Sequence, residues 1–413
     1  MSRVLVIGGG TAGTEAAAEA AKSGNEVTVI EMTEAPEPSW RCWPDLIGPP
    51  MGAACAATPQ RPQRDCSAST LRGTEVKSVG PGVAYGVRGP VAEFDFVVVA
   101  TGSRFEPTRV PGQKKPGVTI LDTVGRYAEL GRMRDLISGV VVQGEGGHAL
   151  QVSDRLCHGG AKVHLLISCW QHDAPSPAVY AAIKEAALQN GVSILQGDLS
   201  RAVGSGVVEA VVVGGEVIPC DCLVLVPRRV PRVVPLRAKS GPTGGILVDG
   251  TLSASSPSTY AAGGCAELGT GLPPFSTLEA ETVMSGRIAG ANATGQHITI
   301  DPFRYSEVVA FGQKWSRSGV GASFARTFGL VVDVVSRRWG PTSACTIVFE
   351  TTSGRVVGVE TVEEVGASSA GIPSGLSRVA SLRRLAYEGL AGSSDISMVA
   401  DTARLGLNQW SRY

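Results

Sequence analysis

Gly8, Gly10 and Gly13 stand between the apolar run Val4-Leu5-Val6-Ile7 and an alanine-rich stretch over residues 12–22, and Glu31 closes the next apolar run, Val27-Thr28-Val29-Ile30. An apolar run, a glycine turn and a helix-like segment in that order predict a βαβ unit over residues 1–34. Glycine at these spacings lets the chain turn sharply and brings its backbone close to a pyrophosphate, whose charge rests on the helix N-terminus. Glu31, about twenty residues on, is placed to accept hydrogen bonds from a ribose diol. A glycine fingerprint alone says little. The strand before it, the helix after it and the acid at the end of the second strand make it a dinucleotide site.

A degraded second copy follows over residues 139–167. Gly144, Gly146 and Ala149 stand where three glycines belong, and the next apolar run ends in Ser168, where a ribose-binding acid is expected. Two dinucleotide folds in one chain indicate two nucleotides in contact, a flavin and a nicotinamide. A second fold without a ligand is the alternative.

Residues 35–75 are rich in Pro, Ala and Cys and read as an irregular loop. Val76–Tyr85 and Val91–Ala100 read as strands, the second ending in the turn Ala100-Thr101-Gly102-Ser103. Strand 259–264 leads into a helix from Thr277 to Ala293. Residues 300–413 read as a separate C-terminal domain. In it, Thr346–Glu350 and Val356–Val362 form a hairpin across Ser353-Gly354, and 376–391 and 395–405 have helical spacing. The expected division is 1–116 with 236–299, then 117–235, then 300–413.

Composition excludes more than it identifies. Lys+Arg and Asp+Glu are equal at 37 each, which favours neither nucleic acid nor an anionic membrane. No apolar run reaches the ~18 residues of a membrane span. Met1-Ser2-Arg3 leads straight into the first strand, so no signal peptide is expected and a cytoplasmic location is. There the nine cysteines stay largely reduced.

With these motifs in place, the chain resembles the FAD-dependent pyridine nucleotide–disulfide oxidoreductase family. The resemblance rests on Val4–Glu31, on Ala100-Thr101-Gly102-Ser103 followed by Pro111-Gly112, on Asp249 after Gly245-Ile-Leu-Val, on Tyr260-Ala-Ala-Gly-Gly-Cys-Ala-Glu267, and on Gly354-Arg-Val-Val-Gly-Val-Glu360. It implies an α/β chain with two Rossmann-like domains, for FAD and NAD(P), and a C-terminal α+β domain that forms a homodimer. Around FAD it implies Gly8, Gly10, Thr11, Ala12, Gly13, Glu31, Met32, Arg41, Val76, Ala100, Thr101, Gly102, Gly264, Cys265, Ser276 and Thr277. Gly144 and Gly146 would hold NADH or NADPH. There are departures. Gly264 stands where the family carries an Asp bonded to the flavin's ribityl chain, and Pro227-Arg228-Arg229-Val230-Pro231 replaces the usual Gly-Arg-x-Pro.

Cys42, in Ser39-Trp-Arg-Cys-Trp-Pro44, resembles the single redox cysteine of coenzyme A disulfide reductases, NADH oxidases and persulfide reductases, with spacing one residue shorter on each side. It also resembles the cysteine that tethers flavin in flavocytochrome c sulfide dehydrogenase. A thiolate beside a flavin can attack a disulfide or polysulfide, and Arg41 would lower its pKa. A buried, inert cysteine is the alternative. Ile47, five residues on, rules out a Cys-x4-Cys pair, and the last histidine is His297, so no histidine base comes from the C-terminal domain. Cys55 and Cys66 are candidate resolving partners. Cys220 and Cys222 share a strand face and read as core, not as a metal site. The expected activity is electron transfer from NAD(P)H through FAD to a small disulfide, persulfide, polysulfide or oxygen. The alternatives are oxidation of sulfide or another donor, with a quinone or cytochrome acceptor, and an FAD electron-transfer subunit of a larger complex without its own NAD site. Tyr387, Trp410 and Tyr413 are candidates to reach the dimer partner's site.

Overall fold

Val4, Leu5, Val6 and Ile7 are all buried in the computed structural model, as happens when both faces of a parallel sheet are covered. The structure describes residues 1–34, 40–48, 68–170, 174–269, 279–300, 305–327, 329–338, 340–352 and 356–365. Strand β1 (Arg3–Ile7), helix α1 (Thr11–Lys22) and strand β2 (Glu26–Ile30) form the first βαβ unit, with β1 and β2 parallel from Arg3↔Glu26 to Ile7↔Ile30. On its other side β1 pairs with Phe96–Val99, which pairs with Thr259–Ala261, and Ser69–Leu71 extends the sheet beyond β2. All four pairings are parallel.

The alanines of α1 serve a close helix contact. Ala12 and Ala16 are buried, and a methyl group on Gly286 or Gly290 of helix Glu279–Asn292 would collide with their carbonyl oxygens. Residues four apart lie on one face of a helix, so this pair of glycines lets the two backbones touch. Arg287 closes the contact on Glu15 at 2.7 Å.

The chain divides into two compact units: the described residues of Met1–Ser39, Thr58–Glu106 and Arg229–Pro302, and those of Trp40–Ala57, Pro107–Arg228 and Phe303–Tyr413. The second unit repeats the first motif as β3 (Gly139–Glu145), α2 (Gly146–Cys157) and β4 (Lys162–Cys169). Its parallel sheet runs in the order Val192–Leu195, β4, β3, Cys222–Val226, Val118–Ile120. Each unit also carries a three-stranded antiparallel meander, at residues 78–93 and 199–219. The duplication is therefore deeper than two βαβ units.

The second unit also holds an antiparallel sheet of Tyr305–Ala310, Gln313–Gly319, Val356–Glu364, Ala344–Glu350 and Val332–Arg338. The expected hairpin is there, paired from Ala344↔Val362 to Phe349↔Val356. This sheet docks on the second dinucleotide fold. The Phe311 N–H donates to the Asp154 carboxylate at 2.8 Å, and Ser176 donates through its N–H to Glu360 (2.8 Å) and through its hydroxyl to Thr346 (2.7 Å). Glu360 also pairs with Arg317, which reaches the Ala174 carbonyl at 2.9 Å.

Two expected strands are each divided. Val76–Tyr85 is a hairpin, Ser78–Gly80 with Val83–Gly86, because Pro81-Gly82 makes the turn with Gly82 at φ +70°. Val91–Ala100 contains the end of Gly89–Glu93 and all of Phe96–Val99, broken at Phe94-Asp95. Segments 376–391 and 395–405, with Tyr387, Trp410 and Tyr413, lie outside the described residues.

Candidate functional site

The first glycine turn is packed on its protein side and open on the other. Gly8 has φ +104°, and a methyl group there would collide with the Ala100 carbonyl oxygen; one on Gly13 would strike the Gly8 carbonyl oxygen. A methyl group on Gly10 would meet nothing within 4 Å. Helix α1 starts at Thr11 without a side-chain cap, so the amides of its first turn are available to an anion. Glu31 stands over this turn. Its Oε2 accepts the Gly9 N–H at 2.6 Å, and its Oε1 accepts the Thr33 N–H and hydroxyl at 2.9 and 3.0 Å. Two carboxylate oxygens offer about four acceptor sites, so capacity remains for a ribose diol. Ala12 and Val76 are buried, and Met32, next to Glu31, is 43% exposed.

The remaining flavin motifs converge on the same strand ends. The Ala100 N–H donates to the Ile7 carbonyl at 2.8 Å. Thr101 donates its hydroxyl to the Arg232 carbonyl at 2.5 Å, and the Gly102 carbonyl accepts the Arg232 N–H at 2.9 Å. A methyl group on Gly264 would lie 3.3 Å from Ser103 Oγ, and one on Gly263 would lie 2.9 Å from Ala12 Cβ. Segments far apart in sequence thus meet at the carboxyl ends of parallel strands, where α/β sheets bind ligands. The open face over Gly10, the uncapped amides and the Glu31 carboxylate fit the pyrophosphate and ribose of a dinucleotide.

The contact between Ser103 and Arg229 is not legible in either of their motifs. Ser103, beside Gly264, accepts from Arg229 Nε and Nη2 at 2.9 and 2.8 Å, and the guanidinium lies 4.6 Å over the Phe105 ring. The only signal was the altered Pro-Arg-Arg-Val-Pro segment. Cys265 is fully buried, its thiol is within 3.3 Å of the Val99 and Ala262 carbonyls, and burial pushes its pKa up. Ser276 and Thr277 lie outside the described residues.

The second glycine turn is filled. A methyl group on Gly144 would strike Val226, and one on Gly146 would strike the Trp170 indole, with Cζ3 at 2.9 Å. One on Gly147 would lie 2.6 Å from Val308. Trp170 meets Trp315 edge to face at 5.4 Å and Tyr180 at 6.2 Å. Ser168, at the expected acid position, is exposed. With Trp170 in place, a pyrophosphate cannot approach Gly146.

Arg41 and Cys42 lie on the 3₁₀ helix Trp40–Leu46, and their side chains are outside the described residues, as are Cys55 and Cys66. The helix is anchored within the second unit. Trp43 packs edge to face on buried Tyr127 at 5.6 Å, Tyr127 shares a 2.6 Å hydrogen bond with His148 Nε2, and Asp45 pairs with Arg155 at 2.9 Å. Burial raises the thiols of Cys157 and Cys220 to about 11 and that of Cys222 to about 12, with nearby acids adding to it. Asp154, Cys157 and His158 bring ligand atoms within 4.8 Å of one another, but the Asp154 carboxylate is taken by Arg155 and the Phe311 N–H.

Among the described residues, no helix is long and apolar enough to cross a membrane. The family model for pyridine nucleotide-disulphide oxidoreductases matches residues 2–293. No curated protein matches the chain. Similar solved structures include an NAD-dependent persulfide reductase from A. fulgidus, with TM-score 0.78 and 20% identity over 98% of this chain and 84% of that one. A water-forming NADH oxidase from Lactobacillus brevis has TM-score 0.78 and 16% identity over 99% of both chains. The ferredoxin reductase for the CYP199A2 system from Rhodopseudomonas palustris has TM-score 0.73 and 20% identity over 87% of this chain and 91% of that one.

Proposed function

This chain belongs to the pyridine nucleotide-disulphide oxidoreductase family, enzymes that bind FAD and NAD(P)H, and we propose that it passes electrons from NADH or NADPH through FAD to a small disulfide, persulfide, polysulfide or oxygen. The observation that carries this reading is the open turn at Gly10 with Glu31 fixed above it. Gly8, Gly10, Thr11, Ala12 and Gly13 hold the pyrophosphate, and Glu31 holds the ribose. Met32 and Val76 flank the adenosine, and Ala100, Thr101, Gly102, Gly264, Cys265, Ser276 and Thr277 form the rest of the flavin site. Gly144 and Gly146 hold the nicotinamide nucleotide in this reading, with the Trp170 indole displaced from Gly146. Ser103, oriented by Arg229, takes over the polar contact that Gly264 cannot make. Bound FAD supplies a reversible two-electron centre.

Cys42 is the redox thiol in this reading, with Arg41 favouring its thiolate. The thiolate attacks one sulfur of the acceptor, the S–S bond breaks, and a mixed disulfide forms as one thiolate leaves. Bound FAD would supply the two electrons that open this mixed disulfide, so that the second thiolate is released and the Cys42 thiolate is restored. A reducing cytoplasm suits this chemistry. The domain plan is 1–116 with 236–299 for FAD, 117–235 for NAD(P), and 300–413 as the surface of a homodimer.

A second reading, electron delivery to a ferredoxin-like partner, is supported by the likeness to the ferredoxin reductase. Turnover of NADH and NADPH with disulfide, persulfide, oxygen and ferredoxin, in wild type and Cys42→Ser, separates the readings. Loss of sulfur-acceptor turnover in Cys42→Ser, with the flavin still reducible, supports the thiol step. Unchanged turnover removes it.

A further inference from the structure

The two glycine turns stand at the same place in a βαβ unit, although in the second Ala149 replaces the third glycine and the helix begins at Gly146 itself, and they differ in what stands over the middle glycine. At Gly10 there is open space; at Gly146 there is the indole of Trp170. The middle glycine is where the backbone and the pyrophosphate approach most closely. An indole in van der Waals contact with Gly146 and a dinucleotide bound there exclude each other.

We propose that Trp170 gates the second nucleotide turn, so that NAD(P)H binds only when the indole leaves Gly146. This rests on the reading that NAD(P)H is the reductant. Three further observations support it. The indole is held edge to face by Tyr180 and by Trp315, and Trp315 lies on strand Gln313–Gly319 of the C-terminal sheet. Val308 of the same sheet closes on Gly147. Buried Glu145 stands at the sequence position that Gly9 holds in the first turn, so a full side chain is packed where the first turn has none. The C-terminal sheet therefore sets the gate: whatever shifts Trp315 changes access to Gly146.

A gate of this kind weakens apparent affinity by the fraction of molecules that are open, so one open molecule in ten costs about tenfold. The test uses full-length, FAD-loaded protein as wild type, Trp170→Ala and Trp315→Phe. The rate of flavin reduction is followed anaerobically as a function of NADH and NADPH concentration. Trp170→Ala is expected to lower the half-saturating concentration by about tenfold or more, and Trp315→Phe to shift it the same way by less. Should Trp170→Ala fail to fold, Trp315→Phe decides by the same readout. Unchanged or weaker saturation in the variants, with wild type reducible, overturns the gate and leaves the NAD(P)H reading intact. If dithionite reduces the flavin but neither nucleotide does so in any variant, gate and reading fall together.

Discussion

The Glu31 carboxylate accepts the Gly9 N–H at 2.6 Å, which ties the end of the second strand to the glycine turn it serves. The acid is therefore positioned before any ribose arrives. Hydrogen bonds to a charged group contribute roughly 1.5–3 kcal/mol, so Glu31→Ala should weaken FAD binding by about 10- to 150-fold. Titration of apoprotein with FAD measures this, and unchanged affinity contradicts the assignment.

Gly8 and Gly10 should separate folding from binding. Gly10→Ala meets open space, so the apoprotein should keep its stability while FAD affinity falls. Gly8→Ala forces a side chain to φ +104° and onto the Ala100 carbonyl, at a cost of about 1–3 kcal/mol. Denaturant unfolding of both apoproteins reads the difference. Equal stability losses would mean that the turn is not open on the ligand side.

Arg317 and Glu360 are both buried, and Glu360 also accepts the Ser176 N–H. Removing one partner of a buried pair typically costs 3–5 kcal/mol, which is the size expected for Glu360→Ala. Urea unfolding checks it. A loss below about 1 kcal/mol, the range of exposed pairs, would show that the C-terminal sheet does not depend on this contact.

Burial holds Cys157 and Cys220 near about 11 and Cys222 near about 12, and it raises Cys265. A raised thiol pKa keeps the group protonated, so little thiolate exists at pH 8 and alkylation accelerates only as pH climbs toward those values. Mass mapping after brief iodoacetamide treatment of the folded protein at pH 8 should find these four sites largely unmodified. Rapid labelling of Cys220, Cys222 or Cys265 would contradict their place in the core, and rapid labelling of half-buried Cys157 would contradict its raised pKa.

Much of this was legible in the sequence because it is local. The strand–turn–helix around Gly8, Gly10 and Gly13 and the hairpin of Ala344–Glu350 with Val356–Glu364 follow from periodicity and turn residues close together in the chain. The contact of Gly286 and Gly290 with α1, and of Arg229 with Ser103, joins residues far apart, and periodicity carries no trace of it. Ser168 stands where an acid is expected, whereas Trp170, two residues on, fills the second turn. Its role depends on Trp315, which lies 145 residues later in the chain.

The most direct test of the central claim is the visible spectrum of the purified protein during anaerobic titration with NADH and with NADPH. The account predicts a bound flavin whose absorbance near ~450 nm bleaches with one of the two nucleotides. A protein that binds no FAD, or holds a flavin that neither nucleotide reduces, would contradict it.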